Sequence, residues 1–393
     1  MTNAPARIGL YRSRFLAAGA AFSVALAVGA VFDPVQFYQS YLIGFIYWLS
    51  IALGCMGFTM VHHLTGGGWG FVTRRILEAG AWTIPFMALL ALPILLGMHQ
   101  LYPWTDLQEP SAHGLIEHKA PYLNVSFFLI RNVLYFAIWS TMAILLTRWS
   151  AEQDRTGDPS LTIRQRFLSG PGIVVYALTA TFASVDWVMS LEPEWFSTIY
   201  GMLFVVSHGM AALAFSIIWV RALAGRPPIS DRMRIKHYHD LGTFLFAFVM
   251  LWAYLAFSQF LIIWSANLAE EASWYIYRTH HGWEYVALLL IVFQFALPFL
   301  ILLSRRIKQD PVKLTRMAYW ILLIRFVDFF WWIKPAFSPE SFSVHWMDIV
   351  APAAIGGVWL ALFATRLQSQ ELMPTRDPRL DEAFGQQEAL HHG

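Results

Sequence analysis

Leu241–Ala266 reads LGTFLFAFVMLWAYLAFSQFLIIWSA, 26 residues without one charged side chain. A helix rises about 1.5 Å per residue and the hydrocarbon core of a bilayer is about 30 Å thick, so about 20 mainly apolar residues cross it. Nine further runs of this kind surround the stretch: about Phe15–Phe32, Ser40–His62, Gly80–Met98, Asn124–Thr147, Gly172–Ser190, Phe196–Val220, Trp283–Ser304, Thr315–Ile333 and Val344–Thr365. Of the 393 residues, 57% are hydrophobic and only 13% charged. Soluble domains carry about 25% charged residues, so the composition excludes a soluble enzyme, a disordered chain and a nucleic-acid binder. It predicts an all-α polytopic protein with ten transmembrane helices, occupying residues 1–366, followed by a cytoplasmic tail over 367–393.

The basic residues orient these spans. Numbered from the N-terminus, the gaps alternate between rich and poor in Lys and Arg. One side collects 22 basic residues, the other only Lys119, Arg278 and Lys334, and Arg131 and Arg325 fall inside spans. Positive charge stays on the cytoplasmic side, so both termini are expected there. The first span follows three arginines and ends in the small-residue stretch Ala27–Ala30, like a signal peptide; an uncleaved first helix is the expectation.

Two segments resemble each other. Val185-Asp186-Trp187 is followed by Pro193, and Val327-Asp328-Phe329 by Pro335, each proline seven residues after its aspartate. They close the fifth and ninth spans, which run in the same direction. A parallel duplication accounts for this: spans 2–5 (about 40–190) and 6–9 (about 196–333) as two four-helix bundles, flanked by spans 1 and 10. Chance likeness of two aromatic helix ends is the alternative.

Ionisable side chains inside a membrane are costly and mark partners or aqueous cavities. Asp186, Asp328, Arg325 and Arg131 are such residues, all expected in the outer half of the bilayer. Arg325 and Asp328 are helix neighbours at i and i+3. Asp186 has no basic partner on its own helix, which makes it the better candidate for a raised pKa. The four read either as a buried ion network or as a protonatable half-channel or quinone-head pocket. His208 is the only histidine near the middle of a span, so no pair of mid-membrane histidines brackets a haem. Tyr254, Ser258 and Gln259 in the seventh span read either as interhelical hydrogen bonds or as a polar path leading to Glu270. Gly66–Gly70 lacks the Gly-Lys-Ser/Thr ending of a P-loop and, with Arg74 and Arg75, reads as a membrane-surface turn. The single cysteine, Cys55, excludes a disulfide framework and a Cys-ligated metal centre within the chain.

Three stretches carry a family likeness: HHLTGGGWGFVTRRILEA (62–79), DWVMSLEPEWFSTIY (186–200) and the run from Asp240 to Arg278. They resemble the ActF family, integral subunits of bacterial alternative complex III, which are similar to the sister subunit ActC and to the polysulfide-reductase membrane subunit. The resemblance implies a quinol-oxidising complex in the bacterial inner membrane. It implies no covalent or metal-ligated cofactor on this chain and quinone as its ligand. The implied partners are a multihaem cytochrome, an Fe–S subunit and an ActC-like subunit, besides membrane lipid. It also implies a quinone-binding, proton-conducting or scaffolding role. The competing reading is a secondary transporter with an internal repeat, a class that often has broken helices; Pro85 and Pro93 interrupt the third span.

Overall fold

A computed structural model describes residues 4–105, 118–381 and 383–384. All regular structure among them is helical. The helices are α1 (Ala4–Phe32), α2 (Pro34–Thr65), α3 (Gly68–Ala81), α4 (Ile84–Leu90), α5 (Leu92–Leu96), α6 (Met98–Leu101), α7 (Val125–Thr156) and α8 (Ser160–Trp187). The second half holds α9 (Ile199–Leu223), α10 (Ile235–Ala266), α11 (Ala269–Arg278), α12 (Trp283–Leu290), α13 (Leu297–Leu303), α14 (Pro311–Ile333) and α15 (Met347–Gln368). Residues 106–117, 382 and those beyond 384 lie outside the described residues.

Nine helical segments among the described residues are long and apolar enough to cross a membrane. The chain is therefore a polytopic helical protein suited to a bilayer. The remaining long helix, α14, is 23 residues; Arg316, Arg325 and Asp328 lower its hydropathy. α1, α7, α10 and α12 turn Leu16, Val28, Val133, Phe257, Leu261 and Leu288 outward. In water such a surface would be an aggregation hazard, whereas in lipid it carries no penalty.

α2 and α9 form the centre and are the most deeply buried of the long helices. α3 and α8 pack on α2, and α7 packs on α8. α10 and α14 pack on α9, and α1 lies along α15 at the edge. Where α2 crosses α9, a Cβ on Gly54 would run into the backbone carbonyl of His208. Small residues let membrane helices approach to backbone contact, and at this crossing nothing larger than glycine fits.

The third span differs from its expected limits. Helix begins at Gly68, twelve residues before the expected Gly80, and breaks near Pro85 and Pro93. Arg74 and Arg75 are correspondingly not in a surface turn. They are buried inside α3, because Glu78 sits four and three residues on and pairs with both, at 2.7 Å each.

Candidate functional site

The two span aspartates occupy unlike environments. In the first half, Asp186 near the end of α8 meets Arg131 of α7, 55 residues away in sequence. Arg131 donates from Nε to Oδ2 at 2.9 Å and from Nη2 to Oδ1 at 2.8 Å. Its Nη1 donates to the Tyr122 carbonyl at 2.9 Å, and the Tyr135 hydroxyl donates to Asp186 Oδ2 at 2.7 Å. The guanidinium also lies over the Tyr122 ring, 3.8 Å from its centroid. A bidentate pair with its remaining capacity filled is the arrangement in which a buried ion pair is best compensated. The expectation that Asp186 lacks a basic partner holds only within its own helix.

In the second half, Arg325 and Asp328 pair through Nη1 and Oδ2, one turn apart on α14, both fully buried. Gln294 Nε2 donates to the same Oδ2 at 3.1 Å. Four polar atoms of this group have no partner, Asp328 Oδ1, Arg325 Nε and Nη2, and Gln294 Oε1, and the Trp252 indole N–H, also unpaired, faces the Asp328 carboxylate. Buried polar atoms are nearly always paired, so such a group calls for a cause, of which an unseen ligand or water is one. Gln294 lies in a π-helical turn, Ile291–Ala296, between α12 and α13. Such turns are frequent at functional sites.

Asp328 also lines a cleft of about 640 Å³ between α10, α11, α12 and α14. Its walls are apolar and aromatic, including Trp252, Phe257, Phe260, Trp274, Trp331 and Trp332. Tyr254, Gln259 and Tyr275 are the polar members besides Asp328 and Thr279, and Gln259 is held by Ser197 at 3.1 Å. Phe257, Ile291 and Tyr254 sit both in the cleft wall and on the outer surface, so the cleft faces the lipid side.

The remaining expected residues are not joined into one path. Tyr254 is 66% exposed on the outward side of α10, Ser258 is half-buried, and Glu270 is exposed beyond the helix end. Only Gln259 of that set is buried. His208 is a core residue of α9, hydrogen-bonded through Nδ1 to the Tyr176 hydroxyl at 2.9 Å. Among the described residues no group of three or more His, Cys, Asp or Glu is arranged to hold a metal.

Three polar clusters escaped sequence reading. At one end of the bundle, Arg74 reaches Asp377 of the tail at 2.5 Å, and Arg75 reaches Asp154 at 2.5 Å. Burial works to raise the Asp377 carboxyl, but Arg74 and Arg379 beside it outweigh burial and hold it below the usual value. At the other end, Asp348 accepts from Ser40 at 2.6 Å and Gln36 at 3.0 Å, with Lys334 at 3.8 Å. Arg278 pairs with Glu192 at 2.6 Å and donates to the Trp332 carbonyl at 2.7 Å. The i, i+4 spacing of Arg74 and Glu78 was a usable signal for the first cluster; the tail partner had none.

No protein-family model and no curated protein matches the chain.

Proposed function

We propose that the chain is an integral subunit of a quinol-oxidising electron-transfer complex of the alternative complex III type, and that its second half binds the quinone. The observation that carries this reading is the half-satisfied Arg325–Asp328–Gln294 group beside an aromatic cleft open to lipid. A quinone is an apolar ring and tail with two oxygens. It needs an apolar slot, a donor for a carbonyl and an acceptor for a hydroxyl. Asp328, the one member of that group in the cleft wall, would supply the acceptor with Arg325 paired behind it, the Tyr275 hydroxyl in the same wall would supply the donor, and the tail would leave between Phe257 and Ile291. Electrons would pass to redox centres on partner subunits, as the family resemblance implies. In this reading the chain crosses a bacterial inner membrane ten times, α14 included, as two four-helix bundles with both termini cytoplasmic. The 22-to-3 division of basic residues supports that orientation.

The test is photolabelling of the purified complex with a photoreactive quinone. Label is expected on Trp252–Phe260 or Trp331–Trp332, and is expected to fall in Asp328→Asn. Label confined to other subunits, or undiminished in the variant, would overturn quinone binding here. Purification without haem- and Fe–S-bearing partners would overturn the assignment to a complex. A reporter fused after Gly393 that is active only outside the cytoplasm would overturn the orientation.

A further inference from the structure

A second recess, of about 440 Å³, opens between the end of α3, α7 and α15. Arg148, Arg155 and Arg366 line it, with Trp82, Ile144, Thr147, Ala151 and Glu152. Three guanidiniums in one recess repel each other unless an anion stands between them. None of the three forms an ion pair among the described residues, although Glu152 shares the recess. Glu152 leaves the recess with a formal surplus of two positive charges. Arg366 Nε is buried and has no hydrogen-bond partner. The Arg366 guanidinium lies 5.8 Å from the centroid of Trp82, which fixes the side chain over an aromatic ring instead of releasing it to solvent. Ile144, Arg148, Ala151 and Arg155 follow one another along a single exposed stripe of α7, so the recess is basic at Arg148 and Arg155 and turns apolar at Ile144, one turn further along the helix. A site that is cationic at its end and apolar one helical turn deeper, at the basic end of membrane helices beside a tryptophan, has the graded character of a lipid headgroup site.

We infer that this recess binds the phosphodiester of an anionic phospholipid, with the acyl chains lying along Ile144. Arg366 grips the phosphate from within, and Arg148 and Arg155 close over it from the rim. A zwitterionic headgroup brings its own ammonium into a recess that already holds a surplus of positive charge, so the site selects against it. The inference is independent of what the quinone cleft binds, because the two recesses share no residue.

The experiment titrates delipidated full-length chain, in neutral detergent, with phosphatidylglycerol, phosphatidylethanolamine or inorganic phosphate, and follows the thermal unfolding midpoint. Phosphatidylglycerol is expected to raise the midpoint at concentrations where the other two do not. Arg366→Gln, and separately Arg148→Gln with Arg155→Gln, should weaken that response about fivefold per charge removed, which is about 1 kcal/mol for each basic residue at an anionic surface. Arg148 and Arg155 are exposed, so their variants keep the fold even where Arg366→Gln does not. Arg164→Gln with Arg166→Gln, two exposed arginines of α8 outside the recess, should leave the response unchanged. An equal shift with phosphatidylethanolamine, an equal shift with inorganic phosphate, or a response that survives loss of Arg148 and Arg155 would each overturn the inference.

Discussion

The chain places an aspartate and an arginine inside each half and finishes only one of the two sites. Around Asp186, all three guanidinium nitrogens and both carboxylate oxygens are paired: Arg131 is bidentate, the Tyr122 carbonyl takes its third nitrogen, and Tyr135 fills the carboxylate, so that only the neighbouring Tyr122 hydroxyl lacks a partner. Around Asp328, four polar atoms of the pair and Gln294 are left over, beside an open apolar cleft. A buried ion pair with all capacity filled stabilises one geometry and has nothing left to offer a ligand. A pair with free donors and acceptors leaves folding a penalty that a ligand can remove. The difference therefore separates a completed ion site from an incomplete one.

The largest expected effect falls on the finished site. Arg131→Met would strand Asp186 in the bundle with only the Tyr135 hydroxyl. Removing one partner of a buried pair costs about 3–5 kcal/mol, a large part of the stability of any domain. The expected outcome is loss of monodisperse protein on size exclusion, or a steep drop in unfolding midpoint. A variant as stable as the parent would show that Asp186 is not held by this pair.

Double variants then compare the halves directly. Arg325→Met with Asp328→Leu should be less damaging than either change alone, because each single change leaves an unpaired buried charge. Arg131→Met with Asp186→Leu should recover less. Its removal also orphans the Tyr122 carbonyl and the Tyr135 hydroxyl, at about 1–3 kcal/mol for each group left unsatisfied. Thermal midpoints of the six proteins decide it. Equal recovery in both halves would dissolve the distinction.

A smaller change probes ligand binding without removing bulk. Asp328→Asn should reduce competition by quinone for the photolabel about tenfold or more, the equivalent of losing a hydrogen bond to a charged group, about 1.5–3 kcal/mol. Asp186→Asn should change it less than about twofold, since a charge-assisted bond lost inside a packed site affects stability and not the cleft. Similar losses in both variants would mean that the aspartates act alike.

The span pattern was legible because a bilayer imposes length and apolarity on each crossing helix, and Leu241–Ala266 satisfies both without exception. The Arg325–Asp328 pair was legible because its members lie one turn apart on one helix. Arg131 and Asp186 are 55 residues apart, and helix rotation decides whether they meet. Sequence periodicity in an all-apolar helix does not report that rotation, because lipid-facing and core-facing positions look alike. For this reason the sequence shows Asp186 without a basic partner on its own helix and does not show the Arg131 that it meets across helices. Gln294 was invisible for a different reason: only the π-helical turn at Ile291–Ala296 directs it at Asp328. The early start of α3 was hidden by three consecutive glycines, Gly66–Gly68, and by two arginines whose neutralising partners include a residue 303 positions away.

That distant partner provides the smallest effect and a third site for comparison, built like the first half's aspartate. Asp377 lies beyond the last helix and receives Arg74 at 2.5 Å and the Arg379 amide at 2.9 Å. Met373 and Leu380 on either side of it are buried, so the carboxylate fastens the tail to the bundle end. Despite burial, which alone would raise it, Arg74 and Arg379 bring the Asp377 pKa below the usual 3.8. A carboxyl whose folded value is depressed contributes stability that is complete above its unfolded value and is lost as pH falls through the folded one. Tail docking should therefore be insensitive to pH around neutrality and weaken only in acid, below the ordinary carboxylate range. Hydrogen exchange over residues 372–381, corrected for the intrinsic rate at each pH, should stay protected at neutral pH and rise severalfold in acid. Asp377→Asn should give raised exchange at neutral pH already and no further acid transition from this group. If exchange rises instead on the alkaline side, or the Asn variant keeps the parent's acid transition, then Asp377 does not secure the tail. A completed buried ion site would then not suffice to mark a structural one.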